Sequence, residues 1–271
     1  MSAKKNQIDL VIFDFAGTIV DHGVFAPIEA LVRVFREQGV ELSYEEARGP
    51  MGIHKKDHIR ALLELESIKK RWFAVNNSAP GEESVEILYS RMAEIQPDLI
   101  IEYNAPIDGL KKTFEYLRKN GIRIGGTTGY IRSMLDSALG DLKAKNIGPD
   151  YAVAADEIPA GRPAGYGCWK NAIELKAPFA YRCVKIGDTI PDILEGLNAG
   201  MWSVGVYESC NKVGLSEKGV KLLPGYPNSQ VLLDAKNELL GAGAHECIPG
   251  VWAVEEVLEK ISARIIRGER P

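Results

Sequence analysis

The sequence predicts an α/β protein: a doubly wound, mostly parallel sheet core with an inserted helical cap domain. Three observations carry that prediction. Short apolar runs end in Asp, Thr or Gly; amphipathic segments of helical period separate them; and residues 24 to about 100 read as helix throughout. Strands that alternate with helices imply a Rossmann-like sheet covered on both faces, with ligands beyond the carboxyl ends of the strands.

Residues 8–13 (IDLVIF) form a short apolar run rich in β-branched residues, the pattern of a buried strand, and it stops at Asp14. "GIRIGGTTGY" (121–130) and "CVKIGDT" (183–189) repeat that shape, each followed by a helical pattern. The segment "IDGLKKTFEYLRKNG" (107–121) places Leu110, Phe114 and Leu117 at helical spacing, with Gly121 as C-terminal cap. The early helical stretch opens with "PIEALVRVFREQG" (27–39). It continues through a capping box at Ser43 and Glu46, a helix from Lys56 to about Leu65, and two more near 67–75 and 82–95. The resulting division is a first core segment at 1–22, a helical cap at 23–102 and a second core segment at 103–271. "GAGAHECIPGVWAVEEVLEKISARI" reads as a last short strand and a closing helix, with His245 structural.

Bulk composition narrows the function classes. Of 271 residues, 45% are hydrophobic, enough to fill a core, and the formal net charge of −4, with scattered Lys and Arg, provides no footprint for nucleic acid. No apolar stretch approaches the roughly 20 residues that span a bilayer, and "MSAKKNQIDL" is not followed by a signal-type region, so a cytoplasmic location is expected. The four cysteines have neither a CxxC pair nor a His at ligand spacing, which argues against a zinc site or a disulfide framework.

The polar strand ends carry the chemistry. Asp14 at a strand terminus, followed by small residues, is placed as a carboxylate nucleophile beside backbone N–H groups. Thr128 and Gly129 add a hydroxyl and an amide to a phosphate cradle. Asp188 and Asp192, four apart in "GDTIPD", converge if a helix begins just after the strand, and such hard oxygen ligands suit Mg²⁺. Read singly, each is equally an ordinary turn or helix cap; their order along the chain is what points to phosphoryl chemistry.

That order resembles the haloacid dehalogenase superfamily of phosphoryl-transfer enzymes, and the resemblance spans nearly the whole chain. It implies a cation that steadies the phosphoryl charge, matched by Arg162 in "IPAGRPAGY", and a cap inserted between the first two motifs. In the phosphatases and mutases of that superfamily the residue two beyond the nucleophile is usually an aspartate that protonates a leaving oxygen. Here it is Ala16, which cannot donate a proton.

An alanine there points to a carbon leaving group. Such a leaving group needs an electron sink, which a lysine of depressed pKa supplies by forming an imine with a neighbouring carbonyl. The cap has Lys55 in "PMGIHKKDHIRAL" (50–62), in a turn before a helix, where the adjacent Lys56 is expected to lower its pKa. Together with "FDFAGTIVDHGVFAP", "TTGY", "PAGRP" and "KIGDTIPDILEG", this segment resembles the phosphonoacetaldehyde hydrolase branch of the superfamily.

The resemblance implies that Asp14 attacks phosphorus, Lys55 forms the imine, and Arg162 and Thr128 bind the phosphonate. It implies Mg²⁺ held by Asp14, the Ala16 carbonyl and Asp188, with Asp192 in support. Met51, His58, Gly129 and Tyr130 match positions lining the site, with His58 moving protons around the imine. A homodimer through the cap and hinges near 21–25 and 100–106 are further expectations. After Arg162-Pro163 the sequence "AGYGCWK" departs from the branch, and Ala164 and Gly165 lead one to expect a softer loop or a roomier pocket. Lys56 is a second candidate imine lysine, and a related carbonyl phosphonate a second candidate substrate. The rival readings are a phosphatase or phosphomutase acting on an ester, which leaves Ala16 and Lys55 unexplained, and a silent binding module, which the retained Asp14, Thr128, Arg162 and Asp188 oppose.

Overall fold

The computed structural model describes residues 7–271; the opening hexapeptide, which bears on the leader reading and on the first core segment, lies outside the described residues. The chain runs β1 (Leu10–Phe13), α1 (Ala26–Glu37), α2 (Tyr44–Arg48), α3 (Lys55–Leu63), α4 (Glu66–Asn76), α5 (Glu82–Tyr103) and α6 (Leu110–Lys119). It continues through β2 (Arg123–Thr127), α7 (Arg132–Ala144), β3 (Tyr151–Val153), α8 (Tyr166–Glu174), β4 (Cys183–Gly187) and α9 (Ile190–Asn198). The last part is β5 (Trp202–Val206), α10 (Glu217–Lys221), α11 (Gln230–Gly241), β6 (Glu246–Ile248) and α12 (Val254–Ile266).

The six strands form one sheet in the order β3-β2-β1-β4-β5-β6, parallel at every pairing. This is the doubly wound order, and its reversal falls between β1 and β4. All four residues of β1 are wholly buried, which explains why that strand reads as a continuous apolar run instead of an alternating one. Asp14 and Asp188 therefore emerge side by side at the carboxyl ends of the two strands flanking the reversal. The strands β3 and β5 are not among the runs singled out in the sequence: β3 has only three residues, and "WSVGV" opens without a turn signal other than Gly200.

Helices α1 to α5 occupy the interval between β1 and β2, where α1 and α3 both pack on α5. The capping box is present, with Ser43 Oγ accepting from Glu46 N–H and Glu46 Oε2 accepting from Ser43 N–H. Two boundaries differ from expectation. Helix α3 begins at Lys55, because His54 serves as its N-cap, the ring Nδ1 accepting the Lys56 N–H at 3.2 Å. Helix α5 runs on through Pro97 to Tyr103, since Leu99 and Ile100 extend its buried face and outweigh the bond that proline removes.

The connection around residue 100 is thus helical, and the second connector narrows to Asn104–Pro106. It lies against the first: Asp21 N–H donates to Ala105 O and Val20 bridges to Pro106. Among the described residues no helix is long and apolar enough to cross a membrane.

Candidate active site

Asp14 follows β1, and its N–H donates to Ile186 O on β4, so the sheet itself fixes the carboxylate. Gly17, at φ +85°, turns the chain beneath it; a Cβ there would lie 2.5 Å from Asp188 Oδ2, so only glycine lets the two segments approach. Asp188 accepts from Asn211 N–H at 2.8 Å. Asp192, in the first turn of α9, accepts from Lys185 Nζ at 2.8 Å and Thr189 Oγ1 at 2.5 Å, and also from Arg162. Arg162 comes from the loop between β3 and α8, not from a strand end, and its Nη2 donates to Asp14 Oδ1 at 2.9 Å.

Asp14, Asp188 and Asp192 present carboxylate oxygens within 4.8 Å of one another, all buried. The charge balance within this cluster is uneven. Burial, then repulsion from Asp192, pushes the Asp14 carboxyl up to about 6 against the pull of Arg162 and Lys185. Asp188 is raised well above the usual carboxylate range by burial and by Asp14 and Asp192. Asp192, although also buried, is held below that range by Arg162 and Lys185. Two desolvated carboxylates that resist ionisation side by side have the chemistry of a divalent-cation site made of hard oxygen donors.

The loop between α2 and α3 supplies the other wall. The loop before α3 turns at Gly52 (φ +100°), whose absent Cβ would meet Thr189 Oγ1 at 2.5 Å, and Gly129 likewise lets the Ile53 carbonyl approach. This brings Met51 and Lys55 into a cavity of about 30 Å³ that is also lined by Asp14, Ala16, Thr128, Gly129, Tyr130, Arg162 and Asp188. That volume accommodates little more than a water molecule, so the segment before α3 lies close against the strand ends. A wider cleft of about 590 Å³ adjoins it at Met51, Ile53, Asp188 and Thr189.

Lys55 is buried, and its Nζ donates to Met51 Sδ at 3.4 Å. Burial, then Arg162, lowers its pKa to about 8, while Asp14 and Asp188 oppose the shift. The expected cause was different. Lys56 points away, pairs with Glu86 and lies over the Tyr89 ring, so it neither depresses Lys55 nor lines the cavity.

His58, expected to line the site, lies behind it. It is wholly buried, Nε2–H donates to Ala47 O at 2.8 Å, and Nδ1 has no hydrogen-bond partner. Burial and Lys55 lower its pKa to about 3, so the ring is neutral. It stands one helical turn from Lys55 and outside the residues lining the cavity.

Thr128 Oγ1 accepts from Tyr130 N–H at 3.1 Å, and the Tyr130 phenol is pushed far up by burial and by Asp21. Nor does the loop after Arg162 enlarge the site. A Cβ on Gly165 would lie 3.0 Å from Ala199 backbone atoms, so the glycine admits close packing of α8 on α9, and neither it nor Ala164 lines the cavity.

Lys185 was missed in the sequence. It is fully buried in β4, where its Nζ reaches Asp192 and, at 3.4 Å, Glu195, itself the acceptor of Thr127 Oγ1 at 2.9 Å. The two carboxylates hold its ammonium charged despite burial. A lysine inside an apolar run was the available signal.

The model of the haloacid dehalogenase-like hydrolases matches residues 8–200. A phosphonoacetaldehyde hydrolase of Bacillus cytotoxicus is 41% identical over 255 residues, covering 94% of this chain and 97% of the relative. One from Bacillus cereus is 40% identical over the same span. A crystal structure of a phosphonoacetaldehyde hydrolase-like protein from Oleispira antarctica superposes with a TM-score of 0.95 at 36% identity, covering 98% of this chain and 97% of that one. The matches to residues 8–200 and, at about 40% identity, to nearly the whole length of these relatives show that the chain belongs to the haloacid dehalogenase-like hydrolases and, within them, to the phosphonoacetaldehyde hydrolase family.

Proposed function

We propose that this protein hydrolyses the C–P bond of phosphonoacetaldehyde to acetaldehyde and phosphate, through a Schiff base on Lys55 and an aspartyl phosphate on Asp14. The observation that carries the reading is the pairing of Lys55 with Ala16 in one small cavity with Asp14. A buried amine with a pKa near 8 is neutral in about a tenth of molecules at pH 7, against about three in ten thousand for an ordinary lysine. It is therefore ready to attack a carbonyl.

The steps balance as follows. Neutral Lys55 Nζ adds to the aldehyde carbon, loss of water leaves the imine, and uptake of one proton from solvent at its nitrogen gives the protonated imine. An Asp14 oxygen attacks phosphorus; the C–P electron pair moves into a C=C bond as the imine nitrogen takes up electrons, so no acid is needed where Ala16 stands. Water hydrolyses the aspartyl phosphate, and protonation of the enamine at carbon followed by hydrolysis releases acetaldehyde and restores Lys55.

Arg162 and Thr128 bind and orient the phosphonate oxygens, with Gly129 and Tyr130 beside them and Met51 against the imine. Arg162 acts in a water-poor site where its charge is most effective. His58, neutral and one helical turn from Lys55 but outside the cavity lining, is assigned proton movement around the imine through intervening water and not by direct contact. Asp14, the Ala16 carbonyl and Asp188, with Asp192 in support, would hold Mg²⁺, which when bound offsets negative charge on the transferring phosphoryl group.

Residues 23–102 act as the cap, which opens at 21–25 and 104–106 to admit substrate and closes to exclude water. The protein is read as a cytoplasmic homodimer. The test is to measure acetaldehyde and phosphate from phosphonoacetaldehyde, with and without Mg²⁺, beside a simple phosphate monoester. Equal, metal-dependent release of both products with little ester cleavage supports the proposal. Cleavage of the ester alone makes the protein a phosphatase and removes the Lys55 argument.

A further inference from the structure

Arg48 closes α2, yet its guanidinium bonds only to segments outside that helix. Its Nη1 donates to Gly23 O at 2.7 Å, Val24 O at 3.3 Å, and the main-chain and side-chain oxygens of Asn211 at 3.3 and 3.2 Å. Asn211 Nδ2 returns a bond to Arg48 O at 3.0 Å. Among the described residues no carboxylate lies within ion-pair distance of Arg48; its partly buried charge is met by carbonyl oxygens and by the Phe25 ring, whose centroid lies 5.5 Å from Arg48 Cζ, with Asp21 and Asp188 acting at longer range. The socket is tight: a Cβ on Gly214 would fall 2.8 Å from Arg48 Nε.

The two segments that Arg48 joins are both under constraint. At the first connector Asp21, Gly23 and Val24 all have positive φ, at +52°, +91° and +57°. A β-branched residue holds that conformation only where its surroundings impose it, and the carbonyls of Gly23 and Val24 are the ones Arg48 engages. The second segment is the core loop after β5. There Ser209 Oγ donates to Gly17 O at 2.5 Å and Ser209 O accepts from Gly23 N–H at 2.9 Å. Asn211 N–H, in turn, donates to Asp188 Oδ2. Asn211 thus grips the cap with its side chain and orients a carboxylate of the acidic cluster with its backbone.

We infer that Arg48 and Asn211 form a clasp that ties seating of the cap to the orientation of Asp188, so that cation binding at the acidic cluster and closure of the 21–25 connector favour one another. Both are positioning residues. The coupling is reciprocal: a cation that draws Asp188 into place must tighten the connector by the same factor as the seated clasp raises cation affinity. The inference rests on the reading of residues 23–102 as a cap that parts from the core.

The test needs no substrate, so its failure is separable from failure of the phosphonate reading. Mg²⁺ affinity is measured by calorimetry, and hydrogen exchange is followed in the Asp21–Ala26 peptide with and without Mg²⁺, for wild type, Arg48→Met, Asn211→Ala and the double variant. Asn211→Ala keeps the backbone N–H to Asp188 and removes only the side-chain grip. We expect each single variant to weaken Mg²⁺ binding by about 5-fold or more and to abolish the Mg²⁺-dependent protection of the connector. The double variant should be no worse than the worse single one, because both remove one device. Arg48→Lys, which can satisfy part of the carbonyl set, should recover part of the loss. Multiplying effects in the double variant overturn the inference. So does Mg²⁺ affinity within about 2-fold of wild type in folded Asn211→Ala, a variant that suffices if Arg48→Met does not fold.

Discussion

Lys55 Nζ and Met51 Sδ lie 3.4 Å apart, four residues from one another along the chain and across the start of α3. A thioether is a weak acceptor, so this contact orients the amine without the stabilisation that a carboxylate would give its charged form. The amine is left with a depressed pKa and a defined direction.

Lys55→Arg keeps a cation in place but cannot form an imine. We expect C–P cleavage to fall by at least about 10³-fold, a loss typical of removing a covalent catalytic group, while Lys56→Arg retains activity within about 2-fold, as a half-exposed surface pair allows. Borohydride trapping with phosphonoacetaldehyde checks both: the adduct should disappear from the first variant and persist in the second.

The pH dependence follows from Lys55 and Asp14. The amine is reactive when neutral, so trapping should rise tenfold per pH unit below about 8 and level off above it. Cleavage also requires ionised Asp14, whose carboxyl is raised to about 6 without a cation; Mg²⁺ bound there favours the ionised form, so this lower limb should shift to lower pH as Mg²⁺ is raised. Rapid-quench rates between pH 5.5 and 9.5 read the two limbs. A plateau already reached at pH 6.5 would contradict the Lys55 assignment.

Asp14→Asn separates the two covalent steps. Phosphate release should stop while imine formation continues, giving a borohydride adduct at near wild-type yield. A folded variant with no adduct would tie the two residues into a single function.

The acidic cluster gives a stability prediction. Because folding raises the pKa of Asp14 and Asp188, metal-free stability is greatest below their unfolded pKa near 4 as far as these groups are concerned, and falls as pH rises through their folded values. At neutral pH Asp188→Asn should therefore raise the Tm of the metal-free protein and lose the further increase that Mg²⁺ gives wild type. Differential scanning calorimetry with EDTA and with Mg²⁺ distinguishes the four states.

Lys185→Met removes the buried ammonium that Asp192 and Glu195 share. Leaving two buried carboxylates with Arg162 as their remaining cation should cost about 3 kcal/mol. Urea unfolding measures it, and restoration of stability in the combined Lys185→Met, Glu195→Gln variant would show that the loss arises from unpaired charge.

The sequence by itself determined the sheet core and which polar residues stand at its strand ends. IDLVIF reads as a buried strand, and β1 occupies its last four residues; Asp14, Thr128 and Asp188 fall where local patterns end, because period and turn chemistry are properties of neighbouring residues. The same holds for the Ser43–Glu46 capping box. That position 16 is an alanine, on which the proposed carbon leaving group turns, needs no coordinates to read. What the tertiary structure decided depends on residues far apart in the chain. Lys55 differs from Lys56 because one amine is enclosed beneath Arg162 and the other reaches Glu86, a distinction that adjacent identical residues cannot express. His58 is interior because α3 packs on α5, Gly165 packs on α9 instead of loosening a pocket, and Lys185 finds its two carboxylates only once α9 turns over β4. Burial and charge pairing are sums over a folded neighbourhood, and so are the protonation states on which the proposed chemistry depends.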